Sequence, residues 1–242
     1  MDSTNDELQR LCKRFELAVS NFGRTCFDLR AREASFQAWY ASCVIQEFGL
    51  SRVYREIHLP KEDIFDGLTK DGLSDRFRLR PGQEKGALNP DLVVSWLPDL
   101  DARTAFARGE HLQSCTAMLR YIAIVSEFKV AASMKNPAQQ RRAMFADLGK
   151  LLAFVRCHNK RQRSGLPNRE IAAYLVVLDN YVSPENEFKS YYGQRQIGDA
   201  LMEISKRWSS EVNAPVVIVI TKEDGKVCVN RYREFEIDEG TE

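Results

Sequence analysis

Residues 119–131, LRYIAIVSEFKVA, form the segment around which this sequence is organised. Apolar side chains occupy both faces of most of the segment, which predicts a buried β-strand. The face that carries Val125 continues into Glu127 and Lys129, two opposite charges in an otherwise apolar run. A buried carboxylate requires a metal ion, an ion partner or a water-filled cleft. The pair therefore suits either a site for a cation and an anionic substrate, or a simple ion pair at a strand end.

A second motif lies upstream, in residues 89–96, NPDLVVSW. Pro90 suits the first position of a strand, because proline cannot donate a hydrogen bond to the sheet. Asp91 follows it and is in phase with Val93 and Ser95 in the apolar strand that begins there. A further Pro-Asp pair ends at Asp99, but charged residues follow it, so we interpret that pair as a turn.

An apolar strand opened by Pro-Asp, followed by a strand that closes in Glu-x-Lys, resembles the PD-(D/E)XK nuclease superfamily, which has the restriction-endonuclease-like fold. The resemblance implies that Asp91 and Glu127 bind Mg²⁺ or Mn²⁺, and that Lys129 acts in catalysis beside them. Relatives often supply another carboxylate from the first core helix, for which Glu33 is the better candidate. Glu47 and Glu56 are the alternatives, and an acid in a first helical turn is also stabilised by the helix dipole alone.

The order of elements fits an α/β protein with an αβββαβ core, in which a mixed central sheet is flanked by helices. An additional C-terminal helix and strands follow this core. We expect residues 1–30 to form an N-terminal helical leader and residues 31–233 a single nuclease-like domain. Residues 97–118 are an insertion between the two motif strands, and residues 234–242 are an acidic tail.

Hydrophobic spacing and local signals predict the individual elements. A first helix covers about residues 6–22 and ends at Gly23, and a second covers about 31–48 and ends at Gly49. Asn136-Pro137 opens a long helix that ends near His158. The remaining elements are a helix at 196–212 and strands at 52–59, 171–178, 215–221 and 227–232, of which the last two form a hairpin.

Two groups of polar residues are candidates for contacting nucleic acid. Gln140 and Arg141 open the long helix directly after the Glu-x-Lys strand, where some relatives place residues against the active site or the DNA. Lys160, Arg161 and Arg163 form the densest basic cluster, which we expect in a flexible loop that grips phosphates and makes affinity salt-dependent. A solvated helix C-terminus explains the same basic residues equally well.

Composition excludes several classes of protein. The chain has 242 residues, with 35 Lys and Arg against 34 Asp and Glu, so overall charge gives no nucleic-acid signature. Six scattered cysteines without a C-x-x-C pair argue against a zinc ribbon or a disulfide framework and for a cytoplasmic location. Three dispersed histidines argue against a His-metal nuclease. Without a secretory signal or a membrane-length apolar run, we expect a soluble protein without membrane association.

These observations lead to the hypothesis of a metal-dependent DNA endonuclease of restriction, phage defence, recombination or repair, with RNA as the other candidate substrate. A partner subunit could deliver the substrate, and cleavage of two strands would favour a dimer. One alternative is an inactive nuclease-fold module that binds nucleic acid or a partner protein. The other is an unrelated α/β protein in which both motifs are accidental. Convergence of Asp91 and Glu127 on one site separates the last alternative from the first two.

Overall fold

The described part of the computed structural model contains three α-helices and eight β-strands. The residues described are 3–57, 59–60, 87–98, 121–131, 137–162, 170–181 and 215–232. The helices are α1 (Ser3–Cys26), α2 (Glu33–Phe48) and α3 (Pro137–Gln162), with a short 3-10 helix at Leu50–Arg52. The strands are β1 (Val53–Tyr54), β2 (Leu59–Pro60), β3 (Ala87–Leu88), β4 (Leu92–Ser95), β5 (Ile122–Val130), β6 (Ala172–Leu178), β7 (Val216–Glu223) and β8 (Lys226–Tyr232).

Six of these strands form one mixed sheet in the order β1-β4-β5-β6-β7-β8. The pairs β1–β4, β4–β5 and β7–β8 are antiparallel, while β5–β6 and β6–β7 are parallel. Strands β5, β6 and β7 are almost wholly buried, as expected for a sheet covered on both faces. The predicted class, a mixed α/β sheet flanked by helices, is therefore confirmed.

Helices α1 and α2 cover one face of the sheet, and α3 covers the other. Phe128 of β5 stacks on Tyr40 of α2 at 5.1 Å between ring centroids, and Ser126 Oγ lies 2.7 Å from the Tyr40 hydroxyl. Phe15 and Phe22 of α1 are fully buried in the same core. The alternate residues of β5, among them Glu127, therefore point toward α3. The N-terminal helix thus shares one core with α2 and this face of the sheet.

Several element boundaries differ from the predicted ones. Helix α1 continues through Gly23 to Cys26, so the prediction that Gly23 ends it was wrong. Only Val53–Tyr54 of the predicted strand 52–59 pairs with β4, because the chain turns at Glu56, whose φ is 50°. Leu59–Pro60 then pairs with Ala87–Leu88 in a separate two-stranded sheet.

Other boundaries agree with the sequence. Gly49, at φ 82°, ends α2 and donates its N–H to the carbonyl of Ile45. Pro137 is the first residue of α3, and the predicted hairpin turns through Asp224 and Gly225, both at positive φ. The predicted helix 196–212, Asp99 and the insertion after residue 98 lie outside the described residues. None of the helices in the described ranges is long and apolar enough to cross a membrane.

The glycine within α1 allows this helix to approach the sheet closely. A Cβ atom at Gly23 would lie 2.7 Å from Cγ2 of Ile220 in β7. We expect Gly23→Ala to lower the free energy of unfolding by about 1 kcal/mol, because overpacking of about 2 kcal/mol outweighs a helix-propensity gain of about 1 kcal/mol. Chemical denaturation measures this change.

The same substitution in an Ile220→Ala background provides the control. That variant lacks the Cγ2 atom, so Gly23→Ala should there be neutral or stabilising. Equal stability of Gly23→Ala and wild type in the native background would contradict the close-packing explanation.

Candidate active site

The three residues of the two sequence motifs meet at one end of the sheet. Asp91 immediately precedes β4. Glu127 and Lys129 lie near the C-terminal end of the neighbouring antiparallel strand β5. The backbone N–H of Phe128 donates a 2.8 Å hydrogen bond to Asp91 Oδ2, which fixes Asp91 against β5. Gln37 Nε2 of α2 donates to the other oxygen, Oδ1, at 3.2 Å. Asp91 is thus oriented from two elements and lies close enough to Glu127 for its charge to raise the pKa of that acid.

Glu127 is the most deeply buried acid of this group, with a side chain only 2% exposed. Its Oε1 lies 2.7 Å from Nζ of Lys150, which reaches across from α3. The contact is a short ion pair, and the Lys150 charge opposes the effect of burial on the pKa of Glu127. Lys150 therefore compensates this buried carboxylate.

Lys129 contacts two further acids, one from each face of the sheet. Its Nζ lies 2.8 Å from Asp147 Oδ2 of α3 and 3.8 Å from Glu33 Oε1 at the start of α2. Asp147 Oδ1 also lies 3.6 Å from Lys150 Nζ, so Asp147 bridges the two lysines. The result is a continuous chain of alternating charge that runs from Glu33 to Glu127. Asp91 is not ion-paired within this chain, but its charge acts on Glu127 and Lys129, and we call the whole group the carboxylate–lysine cluster. Its members are Glu33, Asp91, Glu127, Lys129, Asp147 and Lys150.

The carboxylate–lysine cluster contains four carboxylates and two ammonium groups, a formal charge of −2 when all are ionised. Burial raises the pKa of Glu127 well above its ordinary value, and Asp91 and Asp147 raise it further, although Lys150 partly opposes them. Burial also raises the pKa values of Asp91 and Glu33. Burial disfavours the charged form of Lys129. The neighbouring acids Asp147, Glu33 and Asp91 outweigh this effect, so the pKa of Lys129 is raised. The acids therefore need protons or another cation.

The oxygen-rich donor set fits a hard divalent cation. Carboxylate oxygens suit Mg²⁺ or Mn²⁺, and two positive charges would neutralise the formal charge of the cluster. Ammonium groups already contact Glu127 Oε1 at 2.7 Å and Asp147 Oδ2 at 2.8 Å. Within the described ranges, no group of three or more His, Cys, Asp and Glu residues is already arranged around a common metal position. A cation would therefore have to displace or move a lysine.

The raised pKa of Glu127 predicts how stability depends on pH without metal. Between its ordinary pKa of 4.5 and its higher folded-state pKa, the folded protein binds more protons than the unfolded chain. This contribution to stability is therefore present below pH 4.5 and is lost as the pH rises through the folded-state pKa, by up to about 1.4 kcal/mol per unit.

Glu127→Gln removes this titration. Denaturation in EDTA should show wild type losing stability relative to Glu127→Gln as the pH rises from about 4.5 toward neutrality. A difference that stays constant across this range, or changes in the opposite direction, would contradict the raised pKa.

The structure separates the three candidates for an additional metal-binding carboxylate, whereas the candidate nucleic-acid contacts stay untested. Glu33 lies within the cluster, whereas Glu47 is in the last turn of α2 and Glu56 is exposed in the turn after β1. Gln140 and Arg141 belong to the first turns of α3, and their proposed contacts with nucleic acid stay predictions.

The basic segment after His158 is partly helical. Lys160 and Arg161 belong to the last turn of α3, which continues to Gln162, so the prediction of a flexible loop at these two residues was wrong. The α-helical hydrogen-bonding pattern simply persists for one more turn than the apolar stripe. Arg163 lies outside the described residues.

Three cluster contacts were missed from the sequence: Gln37, Asp147 and Lys150. One signal was available, because Asp147 falls on the apolar stripe of α3 at helical spacing from Met144 and Leu151. A charged residue on a buried helical stripe indicates that the element packed against the helix supplies a partner for it.

Comparisons with protein-family models, with curated proteins and with solved structures found no match for this chain.

Proposed function

We propose that this protein is a metal-dependent DNA endonuclease, with its active site in the carboxylate–lysine cluster. The order α2, β1, β4, β5, α3, β6 supports a restriction-endonuclease-like core. The motif residues Asp91, Glu127 and Lys129 support a relationship to the PD-(D/E)XK superfamily. Restriction, phage defence, recombination and repair are the processes that such an activity serves.

One observation carries the proposal. Glu33, Asp91 and Lys129, which are far apart in sequence, lie together at one end of the sheet. Four carboxylates face two lysines there, and of these acids Glu127 and Asp147 are buried and Asp91 is half-buried. Unpaired buried charge is unfavourable, and a purely structural ion-pair network gains nothing from excess acids. A site that binds a divalent cation accounts for this excess.

The residues of the cluster have separate roles in the proposed reaction. Asp91 and Glu127 would hold Mg²⁺ or Mn²⁺, with Asp91 kept in orientation by Phe128 N–H and Gln37. The bound cation would supply a water of lowered pKa and neutralise charge on the phosphodiester. Lys129 stabilises the additional negative charge of the transition state, and Asp147 positions its ammonium group.

A second candidate function is a nuclease-fold module that binds nucleic acid or a partner protein without cutting. The contact of Lys150 with Glu127 favours it, because an ammonium group already compensates the most buried acid. Under this proposal the lysine would stay in place, and the cluster would contribute only to stability.

Incubation of the purified protein with plasmid DNA, single-stranded DNA and RNA tests the proposal. Each substrate is offered Mg²⁺, Mn²⁺ or EDTA, and the product ends are analysed. The resemblance leads us to expect metal-dependent cleavage that leaves 5′-phosphate and 3′-hydroxyl ends. Binding of a substrate without cleavage under any metal condition would favour the second candidate.

A further inference from the structure

Lys150 has no role in the reaction proposed above, yet it makes the closest contact to the most buried acid. It lies in the middle of α3, and its ammonium group lies 2.7 Å from Glu127 Oε1. Its other acidic contact, Asp147 Oδ1, is more distant at 3.6 Å and lies one helical turn away on the same helix. Lys150 therefore has two carboxylates available, one on the strand and one on its own helix.

A metal ion and Lys150 would compete for the same carboxylate. Glu127 Oε1 has little solvent contact, and the Lys150 ammonium group 2.7 Å away holds the position that a metal ion bound to this oxygen would need. Two cations near one carboxylate oxygen repel each other strongly where water is scarce. A doubly charged cation also compensates the formal −2 charge of the cluster more fully than a single ammonium group.

We propose that Lys150 is an internal counter-ion that occupies the cation position beside Glu127, and that a divalent cation displaces it toward Asp147 and solvent. This inference rests on the proposed metal site and adds an exchange step to it. The exchange keeps the buried Glu127 compensated in the metal-free protein. It also frees an ammonium group for an anionic substrate only once the metal is bound, so that substrate binding and metal binding become coupled.

Three lysines of similar exposure make the exchange measurable within one chain. The side chains of Lys129, Lys150 and Lys222 are 20%, 21% and 26% exposed, and each is ion-paired. Lys222 pairs with Asp28, outside the cluster, and is the internal control. Wild-type protein is treated briefly with an amine-acylating reagent at increasing Mg²⁺, and the modification of each lysine is quantified by mass spectrometry. Calorimetry in the same buffer measures the binding of Mg²⁺ and, separately, of Mn²⁺.

We expect Mg²⁺ to increase acylation of Lys150 by about tenfold relative to Lys222, which corresponds to about 1.4 kcal/mol of lost pairing. In Glu127→Gln, Lys150 should be acylated rapidly without metal and should not respond to Mg²⁺. This variant shows that the response is due to release from Glu127 and not to a general change in the fold.

The other outcomes separate the two proposals. If calorimetry detects Mg²⁺ binding while acylation of Lys150 stays constant or falls relative to Lys222, the displacement is refuted and the metal site stands. If calorimetry detects no binding of either Mg²⁺ or Mn²⁺, both the displacement and the metal-dependent function are refuted.

Discussion

Glu127→Gln is expected to abolish the stabilisation of this protein by Mg²⁺ or Mn²⁺. A cation that binds only the folded state stabilises it by about 2.7 kcal/mol at about 100 times Kd. For a chain of this size, that free energy raises the melting temperature by roughly 5–10 °C. The neutral amide lacks the charge that a hard cation requires, so thermal unfolding of the variant should be the same in metal and in EDTA.

Glu16→Gln is the matched control for this substitution. Glu16 is also a largely buried acid, with a 2.6 Å ion pair to Arg231 and a hydrogen bond from the Tyr174 hydroxyl, but it lies on α1, outside the cluster. It should respond to metal as wild type does. A metal-induced shift of normal size in Glu127→Gln would exclude Glu127 as a ligand.

Lys129→Met is expected to slow DNA cleavage by about 100- to 1000-fold, the usual effect of removing a group that stabilises transition-state charge. Methionine keeps much of the length and apolar character of lysine without the charge. Metal-induced stabilisation should persist, because Asp91 and Glu127 are unchanged. Cleavage rates at saturating Mg²⁺ and melting curves with and without metal measure the two effects separately.

Two variants control for damage to the fold. Removing the Lys129 charge leaves Asp147 with only the more distant Lys150, so Lys129→Met should be assayed below its own melting temperature. Lys129→Arg keeps the charge and should retain more activity than Lys129→Met. Lys222→Met removes a paired lysine elsewhere and should cleave normally. Cleavage by Lys129→Met at the wild-type rate would exclude Lys129 from the reaction.

The part of the site that lies on strands could be predicted from sequence. The two-residue period of a strand places Glu127 and Lys129 on one face, and the Pro-Asp signal locates the start of β4. Antiparallel pairing of β4 with β5 then brings Asp91 beside Phe128. These relations depend on local geometry, which short motifs specify well.

The helical part of the site could not be predicted in the same way. Which residues of α3 reach β5 depends on how the helix is rotated and how far it has shifted along the sheet, and packing of the whole core determines both. In sequence, Asp147 and Lys150 therefore look like an exposed i,i+3 ion pair on the helix surface. In the structure, Asp147 is buried. Gly23 was misinterpreted for a similar reason, because contact with Ile220, rather than helix termination, explains a glycine there.

The most direct test of the central claim is the rate at which wild-type protein and Asp91→Asn convert supercoiled plasmid in Mg²⁺ and in EDTA. The asparagine side chain can still accept the hydrogen bond from Phe128 N–H, so the substitution removes charge with little change in shape. We expect cleavage by wild type in Mg²⁺ only, and none by Asp91→Asn. Equal cleavage by the two proteins, or cleavage that persists in EDTA, would contradict a metal-dependent active site at this cluster.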